Sequence, residues 1–369
     1  MVAYRAHRHG GVERAVAEVV VRIGQETDLQ LIASECSVSA PHLHFREVKD
    51  PGGPAVYRSL AYDRAASRAS RESRTTMTNS VDLAILDAEV ITAHFCHAAF
   101  IAAQGGVRGG DSVLRRMYQK ASGELFVARE RRAYAAGGRL RAVIAVSQGL
   151  KRELIEHYSL EPSAISVIPN GVDRAVFHES ADAQAKGALR ERLGLPAHAF
   201  VPLFVGGDWD RKGLRFAIEA MANVADGLLV VVGRGDIARF EELAARRGVA
   251  ERVHFAGMQL SPEEYYRAAD VFLAPTLYET FSMGTLEAAA SGLPLLGTRT
   301  NGIEEMIVHG VNGFFIEADG ESVGARLVEL RDDPALRRSM AAAAAQTAAR
   351  YDWDEIARAQ LAVFRQAAA

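Results

Sequence analysis

The feature that most constrains this chain is a series of short apolar, β-branched runs in which polar residues do not alternate. Strands that are buried on both faces of a parallel sheet have this composition, because helices cover both faces. Segments of helical period separate the runs, as in LRFAIEAMANV and RFEELAARRG. Repeated strand and helix predict a doubly wound parallel sheet. The runs are LQLIA (29–33), EVITAHF (89–95), AVIAVS (142–147), ISVIP (165–169), VPLFVGG (201–207), LLVVVG (228–233), VHFAG (253–257), VFLAP (271–275), PLLGT (294–298) and GFFIE (313–317).

The strand and helix pattern occurs twice, which predicts two α/β domains. The segment SVIPNGVDRAVF (166–177) lies between the two sets of runs and carries Pro-Asn-Gly, a turn signal. We therefore expect one domain over 1–170 and a second over 171–351. The tail YDWDEIARAQLAVFRQ (351–366) is typical of a final amphipathic helix.

Composition and charge narrow the class of protein. Hydrophobic residues make up 49% and charged residues 24% of the chain, as in globular proteins. Cys36 and Cys96 form no disulfide framework, and neither a signal peptide nor a membrane-spanning run is visible, so a cytoplasmic location is expected. Residues 1–170 carry 22 basic against 18 acidic residues, and the rest carries 21 against 28. This asymmetry suggests different partners for the two domains, and it is too weak to indicate nucleic acid.

The stretch YETFSMGTLEAAASGLP (278–294) is the richest in chemistry. It follows the VFLAP run, and a helix is predicted from near Ser282 to Ser291, with Gly292 as its stop. Open α/β sheets bind ligands at this edge of the sheet. The first backbone N–H groups of the helix, including those of Phe281, Ser282 and Met283, suit an anion such as a diphosphate.

Two glutamates flank that helix start. Glu279 can accept hydrogen bonds from sugar hydroxyls, and Glu287 can accept the two hydroxyls of a ribose. Taken alone, Glu279 is equally an acid that favours a helix N-terminus and Glu287 a solvated surface residue. Their combination with the N–H groups favours a binding site.

A second loop, GGDWDRKG (206–213), also follows a strand. Its adjacent cations, Arg211 and Lys212, suit a leaving diphosphate, whose charge grows as the sugar departs. A solvated basic turn is the alternative. Asp208-Trp209-Asp210 spells an Asp-x-Asp metal motif, which we interpret as coincidental, so no metal is expected.

These motifs resemble the retaining, two-domain (GT-B) glycosyltransferases of family 4. The resemblance covers nearly the whole chain, and the GGDWDRKG loop is similar in shape to that of the lipopolysaccharide-core glucosyltransferase branch. It implies two Rossmann-like domains that face each other across a cleft, with helix 352–369 crossing back to the first domain. The segments that carry it are GGVERAVAEV (10–19), VIAVSQGLKRELIEHY (143–158), VIPNGVDRAVF (167–177), VGGDWDRKGLRFAIEAM (205–221), VVGRGD (231–236), YETFSMGTLEAAASGLP (278–294) and NGIEEMIVHGVNGFFI (301–316).

The resemblance also implies roles for individual residues. Lys212, Arg211 and Glu279 are expected at the reacting centre, together with His94 at the end of a first-domain strand. His97 is expected on the acceptor side. The residues expected to bind the donor are Gly10, Gly11, Gly206, Gly233, Phe255, Gly257, Phe281, Ser282, Met283 and Glu287.

The predicted function is transfer of a sugar from a nucleoside-diphosphate sugar to a hydroxyl acceptor with retention, and with no cofactor. The expected acceptor is a cell-envelope glycan or a lipid-linked intermediate. A sugar-nucleotide epimerase or phosphorylase, an oxidoreductase and a non-catalytic nucleotide-binding module are the alternatives; VVGRGD lacks the third glycine of the dinucleotide fingerprint. Arg64, Arg68 and Arg71 recur at helical spacing, which indicates either a solvated face or peripheral contact with the inner face of the plasma membrane.

Overall fold

The structure is a computed structural model that describes residues 1–8, 10–73, 75–103, 113–135 and 137–369, with side chains described from residue 117 onward in the helix that starts at 113. The chain divides into two compact units. One comprises Met1–Gly171 with Trp353–Ala369, and the other comprises Val172–Asp352. Both are layered α/β structures built on parallel strands, as the sequence predicts.

The strands are β1 (Leu29–Ala33), β2 (Leu43–Glu47), β3 (Asn79–Val81), β4 (Val90–Ala93), β5 (Ala142–Ala145), β6 (Ile165–Val167), β7 (Pro202–Val205), β8 (Leu229–Val232), β9 (Val253–Gly257), β10 (Val271–Ala274), β11 (Leu295–Gly297) and β12 (Gly313–Phe315). The helices are α1 (Val12–Glu26), α2 (Ala55–Glu72), α3 (His97–Ala103), α4 (Val113–Ala133), α5 (Gln148–Tyr158), α6 (Ala183–Arg192), α7 (Leu214–Ala220), α8 (Ile237–Arg246), α9 (Glu263–Ala268), α10 (Met283–Ala290), α11 (Ile303–Met306), α12 (Gly320–Asp332), α13 (Pro334–Ala348) and α14 (Trp353–Ala368).

The first unit contains the pair β1-β2 and the sheet β3-β4-β5-β6, all parallel. Val2 links them, because it forms bridges to both Ile32 of β1 and Ser80 of β3. The final helix, α14, packs against α1, where Arg22 Nε donates to Asp354 Oδ1 at 2.5 Å. Its last turn is held by a hydrogen bond from Arg141 Nη1 to the Ala367 carbonyl at 2.7 Å.

The second unit has one parallel sheet in the order β12-β11-β10-β7-β8-β9. Its strands are almost fully buried, except for the edge strand β9, which agrees with their unbroken apolar sequences. Because β7 lies between β8 and β10, the strand order reverses at β7. Open α/β sheets bind ligands at such a reversal, outside the carboxyl ends of the strands.

Two strands of the first unit, β2 and β3, were missed in the sequence. All five residues of β2 are exposed or half-buried, and its sequence, LHFRE, shows no apolar run. β3 spans only three residues, NSV, of which two are polar although all are buried. Apolar periodicity therefore carries no signal for either strand.

A buried ionic cluster ties α6 to the start of β10 in the second unit. Asp270 accepts hydrogen bonds at 2.7 Å from Lys186 Nζ and from Arg190 Nη2, and at 2.8 Å from the Val201 N–H. Burial acts to raise the pKa of Asp270, but its two cations outweigh that effect and lower it. Burial also lowers the pKa of Lys186 more than its pairing raises it, so Arg190 is the steadier counter-ion.

Candidate active site

Lys212 and Glu279 meet where the strand order of the second unit reverses. Lys212 lies in the loop that follows β7, and Glu279 lies in the loop that follows β10. Lys212 Nζ donates a hydrogen bond to Glu279 Oε2 at 2.7 Å. Burial acts to raise the pKa of Glu279, but the charges of Lys212 and Arg211 hold it below its ordinary value. The structure thus places an ionised, buried carboxylate and a cation together at the expected ligand edge.

Arg211 joins the same two loops. Its Nη1 donates to the carbonyl of Tyr278 at 2.8 Å and lies 3.7 Å from Glu279 Oε2. Its Nε donates to Asp208 Oδ2 at 3.1 Å. These contacts hold Arg211 beside the pair, and its direct contact with a diphosphate stays a prediction.

The helix that follows Glu279 begins as predicted. Ser282 is its N-terminal cap, with φ 68° and ψ 78°, a conformation that side-chain-bearing residues adopt rarely and mostly at functional sites. No described acceptor takes a hydrogen bond from the backbone N–H of Ser282, Met283 or Gly284. These N–H groups stand at the positive end of α10, next to Glu279, and suit an anion.

Glu287 lies inside α10 and is buried. Its Oε2 accepts a hydrogen bond at 2.8 Å from the hydroxyl of Tyr266, which is fully buried on α9. This contact fixes the carboxylate and is incompatible with a solvated surface residue. The ribose contact stays a prediction. Tyr266 was not predicted as a site residue, because the pattern of EEYYRAAD indicates only a helix with one buried face.

Three of the predicted donor-binding glycines are joined at the ends of neighbouring strands. The Gly206 N–H donates to the Val232 carbonyl at 2.9 Å, and the Gly233 N–H donates to the Gly257 carbonyl at 2.8 Å. Gly233 has a φ of 138°, and a Cβ there would lie 2.0 Å from the Gly206 carbonyl oxygen. The loops after β7 and β8 therefore approach more closely than any side chain at Gly233 would permit.

The Asp-x-Asp segment is occupied by protein contacts. Trp209 is buried between Phe240 and Phe255, with ring centroids 5.4 and 5.7 Å away. Asp210 accepts two hydrogen bonds from Arg239, at 2.7 and 2.8 Å. Phe255 is half-buried with its ring against Trp209, and its contact with a donor stays a prediction.

Phe281, another predicted donor contact, is fixed by the loop before α11. Its side chain is buried, and Gly302 (φ 77°) lies so close that a Cβ there would be 2.4 Å from the Phe281 carbonyl oxygen. This close approach was not predicted, because the sequence gives only a Thr-Asn-Gly turn at that point. The contact holds the backbone just ahead of Ser282.

In the first unit, His94 directly follows β4 and is buried. Its backbone N–H donates to Asp82 Oδ1 at 2.7 Å, and its ring Nδ1 lies 3.4 Å from the same oxygen. Asp82 follows β3 with a φ of 47°. The pair occupies the carboxyl edge of that sheet. The chemical role of His94 stays a prediction, and Asp82 was missed together with β3.

His97 begins α3 and lies in the wall of a cavity of about 470 Å³. Its Nδ1 lies 2.8 Å from Oε1 of the buried Glu130, and its ring stacks on Phe126 at 4.8 Å. Glu130 therefore fixes the ring. Asp82 lines the same cavity.

The cavity that His97 lines is mixed in character. Cations, carboxylates, a hydroxyl and an aromatic ring converge in it, among them Tyr4, Arg58, Ser59 and Arg129. Its arginines are paired, since Arg58 contacts Asp50 and Arg129 Nη1 donates to Asp63 at 3.0 Å. Such a lining suits a neutral, hydroxylated molecule.

Gly10 and Gly11 immediately precede α1. Gly10 has a φ of 87°, and Gly11 is the N-terminal cap of the helix. A helix start with little side-chain bulk agrees with close approach of a ligand to the backbone. Their contact with a donor stays a prediction.

Two family models match the chain. Glycosyltransferase Family 4 matches residues 9–176, and Glycosyl transferases group 1 matches residues 199–333. Among curated relatives, the D-inositol 3-phosphate glycosyltransferase of Acidothermus cellulolyticus is 34% identical over 235 residues, which is 59% of this chain and 51% of that protein. The aligned region thus spans about half the length of that relative.

Solved structures of two other proteins superpose on nearly the whole of this chain. WaaG, a glycosyltransferase involved in lipopolysaccharide biosynthesis, superposes with a TM-score of 0.81 at 22% identity, covering 98% of both chains. Anabaena Alr3699/HepE in complex with UDP-glucose superposes with a TM-score of 0.71 at 17% identity, covering 99% of this chain and 98% of that one.

The fold and its structural neighbours therefore place the protein in the GT-B class, which has two parallel-sheet domains. Within that class, the chain belongs to the glycosyltransferases of group 1 and family 4. The described residues contain no helix long and apolar enough to cross a membrane.

Proposed function

We propose that this protein transfers a sugar from a nucleoside-diphosphate sugar to a hydroxyl group of an acceptor. The observation that carries the proposal is the contact between Lys212 and Glu279 beside the start of α10. It places a cation and an ionised carboxylate at the carboxyl edge of a sheet, where the first N–H groups of α10 follow Glu279 closely in the chain. These are the groups that a diphosphate and the hydroxyls of its sugar require.

In the proposed reaction, Lys212 neutralises the charge that grows on the diphosphate as the bond to the sugar breaks. Without a donor, its partner is Glu279. When the phosphate takes Lys212, Glu279 becomes available to accept sugar hydroxyls. Glu287, fixed by Tyr266, takes the ribose hydroxyls.

Retention and metal independence belong to the same proposal. Retention follows the resemblance of the Glu279–Glu287 segment to retaining enzymes, and the acceptor oxygen then bonds to the sugar carbon on the face that the diphosphate leaves. Lys212 supplies the countercharge that a metal ion would otherwise bring. Activity is accordingly expected to persist in a chelating buffer.

The acceptor is proposed to bind in the cavity that His97 lines. Paired arginines, carboxylates and the Phe126 and Tyr4 rings suit a hydroxylated ring, so a glycan or a lipid-linked sugar is the proposed acceptor class. A cell-envelope pathway is proposed on the same ground and on the likeness to WaaG.

Nucleotide sugars are expected to stabilise the protein and to be consumed. A donor at a hundredfold excess over its Kd should raise the free energy of unfolding by about 2.7 kcal/mol, and thermal shift across a set of nucleotide sugars would identify it.

Incubation with that donor and candidate acceptors, followed by NMR of the product's anomeric proton, tests transfer and retention. An isomerised nucleotide sugar or a sugar phosphate would indicate an epimerase or a phosphorylase instead. Binding without turnover would indicate a nucleotide-binding module.

Peripheral contact with an anionic lipid surface is proposed through α2. Arg64, Arg68 and Arg71 are exposed on it. Near an anionic membrane each cation contributes about 1 kcal/mol, so replacing all three by glutamine should weaken binding to phosphatidylglycerol vesicles about a hundredfold. Flotation measures this, and phosphatidylcholine vesicles are the control. Equal flotation with both lipids would contradict the proposal.

A further inference from the structure

A second cavity of the first unit, of about 720 Å³, lies between α2 and α4 and includes Arg64 and Arg71 of the proposed lipid contact. Its floor is apolar and includes Leu86, Leu125 and Leu140. Its charged lining is predominantly basic, because five arginines face two aspartates. The arginines are Arg64, Arg71, Arg129, Arg132 and Arg139. We call this cavity the arginine groove.

Two of these five arginines are paired with carboxylates, and three are not. Arg129 is paired with Asp63 and Arg139 with Glu89. Within the part of the chain that the structure describes, Arg64, Arg71 and Arg132 have no hydrogen bond or ion pair. Because the five arginines of the groove outnumber its two aspartates, positive charge and N–H donors are in excess there, and an anion would satisfy them.

A smaller cavity of about 180 Å³ adjoins the arginine groove, since Ser67, Arg71, Asp87 and Arg139 line both. Its other walls are mainly hydroxyl-bearing, with Ser70, Ser73, Thr75 and Thr78. Hydroxyls and guanidinium groups together are the donors that hold phosphate groups in proteins. We call this part the hydroxyl pocket.

The arginine groove and the hydroxyl pocket extend to the amino edge of the sheet β3-β4-β5-β6. Thr78 comes directly before β3, and Leu140 lies two residues before the start of β5, so both lie at that edge. His94 and Asp82 follow their strands and therefore lie at the carboxyl edge. The arginine groove and the cavity that His97 lines share Arg129, and their other lining residues differ.

We propose that the arginine groove and the hydroxyl pocket form a second binding site for a phosphate-bearing molecule with an apolar or weakly polar body. The phosphate occupies the hydroxyl pocket and contacts Arg71, while the body lies on the leucine floor beside Arg64 and Arg132. A soluble phosphorylated metabolite and a phospholipid headgroup share this chemistry. The site is independent of the proposed transfer reaction.

The chain offers closely matched variants for the test. Arg71→Gln and Arg132→Gln remove groove cations. Lys120→Gln and Arg131→Gln remove exposed cations of α4 that do not line the arginine groove. A general attraction to anions responds alike to all four variants, whereas a groove ligand responds to the first two only.

Inorganic pyrophosphate, titrated by calorimetry at constant ionic strength, is the soluble probe. Lys212→Met serves as the background, so that the candidate active site does not contribute. Phosphatidylglycerol vesicles, in flotation, are the lipid probe. Each groove variant is expected to weaken binding of at least one probe about tenfold, the factor that one charge-assisted hydrogen bond typically carries, with less than twofold change in the controls.

The probe that responds identifies the source of the phosphate. Loss confined to pyrophosphate assigns a soluble metabolite, and loss confined to vesicles assigns a lipid headgroup. The proposal is overturned if the parent protein binds neither probe, or if Lys120→Gln and Arg131→Gln weaken binding as much as the groove variants. Sugar transfer by the groove variants, measured in parallel, reports on the proposed function separately.

Discussion

Replacing Lys212 by methionine is expected to lower kcat for sugar transfer by about 10²–10³-fold, the usual effect of removing one preorganised donor to a charge that develops in the transition state. Methionine keeps most of the side-chain length and removes the charge. The free energy of unfolding should change little, because Arg211, 3.7 Å from Glu279, still supplies a positive charge beside that carboxylate. Initial rates with a saturating donor, together with a denaturant titration, measure both quantities.

Lys49→Met is the matched control for this experiment, since Lys49 is exposed and lines none of the cavities described above. Its kcat should equal that of the parent protein. An unchanged kcat in Lys212→Met would remove the proposed role of Lys212. A loss confined to KM would instead limit that role to binding of the donor in the ground state.

Replacing Asp270 by asparagine is expected to lower the free energy of unfolding by about 3–5 kcal/mol, because buried Arg190 and half-buried Lys186 would be left without their counter-ion. Asp226→Asn is the control. Asp226 also contacts an arginine, Arg331 at 3.1 Å, but is largely exposed, so its loss should cost less than about 1 kcal/mol. Urea unfolding of the two variants makes the comparison, and equal effects would contradict the account of the cluster.

The stabilisation by Asp270 should also depend on pH in a definite direction. Its pKa in the folded protein lies below the ordinary value, so between the two values the unfolded chain binds more protons. The contribution is therefore complete above the ordinary carboxyl pKa and falls as pH drops through the lowered one. The stability difference between the parent protein and Asp270→Asn should shrink on acidification, and a difference that grew would show the sign to be wrong.

Most of the fold could be predicted, because strands buried on both faces need unbroken apolar sequences. The strands of the second unit coincide with the predicted runs. β2 and β3 escaped prediction because one is half-exposed and the other has only three residues. Because β3 was not predicted, Asp82, which follows it and is the partner of His94, was not predicted as a site residue either.

The candidate site was predictable where a motif is contiguous and not where partners come from distant segments. The helix start at Ser282 and the glutamates around it lie in one stretch of sequence. Tyr266, which holds Glu287, and Glu130, which holds His97, are brought there only by tertiary packing. Nor does the sequence reveal that Arg211 points to the Tyr278 carbonyl, since this depends on how two loops approach each other.

The glycines that join β7, β8 and β9 bear on attempts to redesign the protein for other donors. Gly206, Gly233 and Gly257 present main-chain atoms alone, and Gly233 has no room for a methyl group. A point substitution at these glycines has no side-chain contact to alter, and it would disrupt the loops instead. An engineer who wishes to change nucleotide preference would do better to exchange whole inter-strand segments, with their lengths and turns, than to randomise single codons.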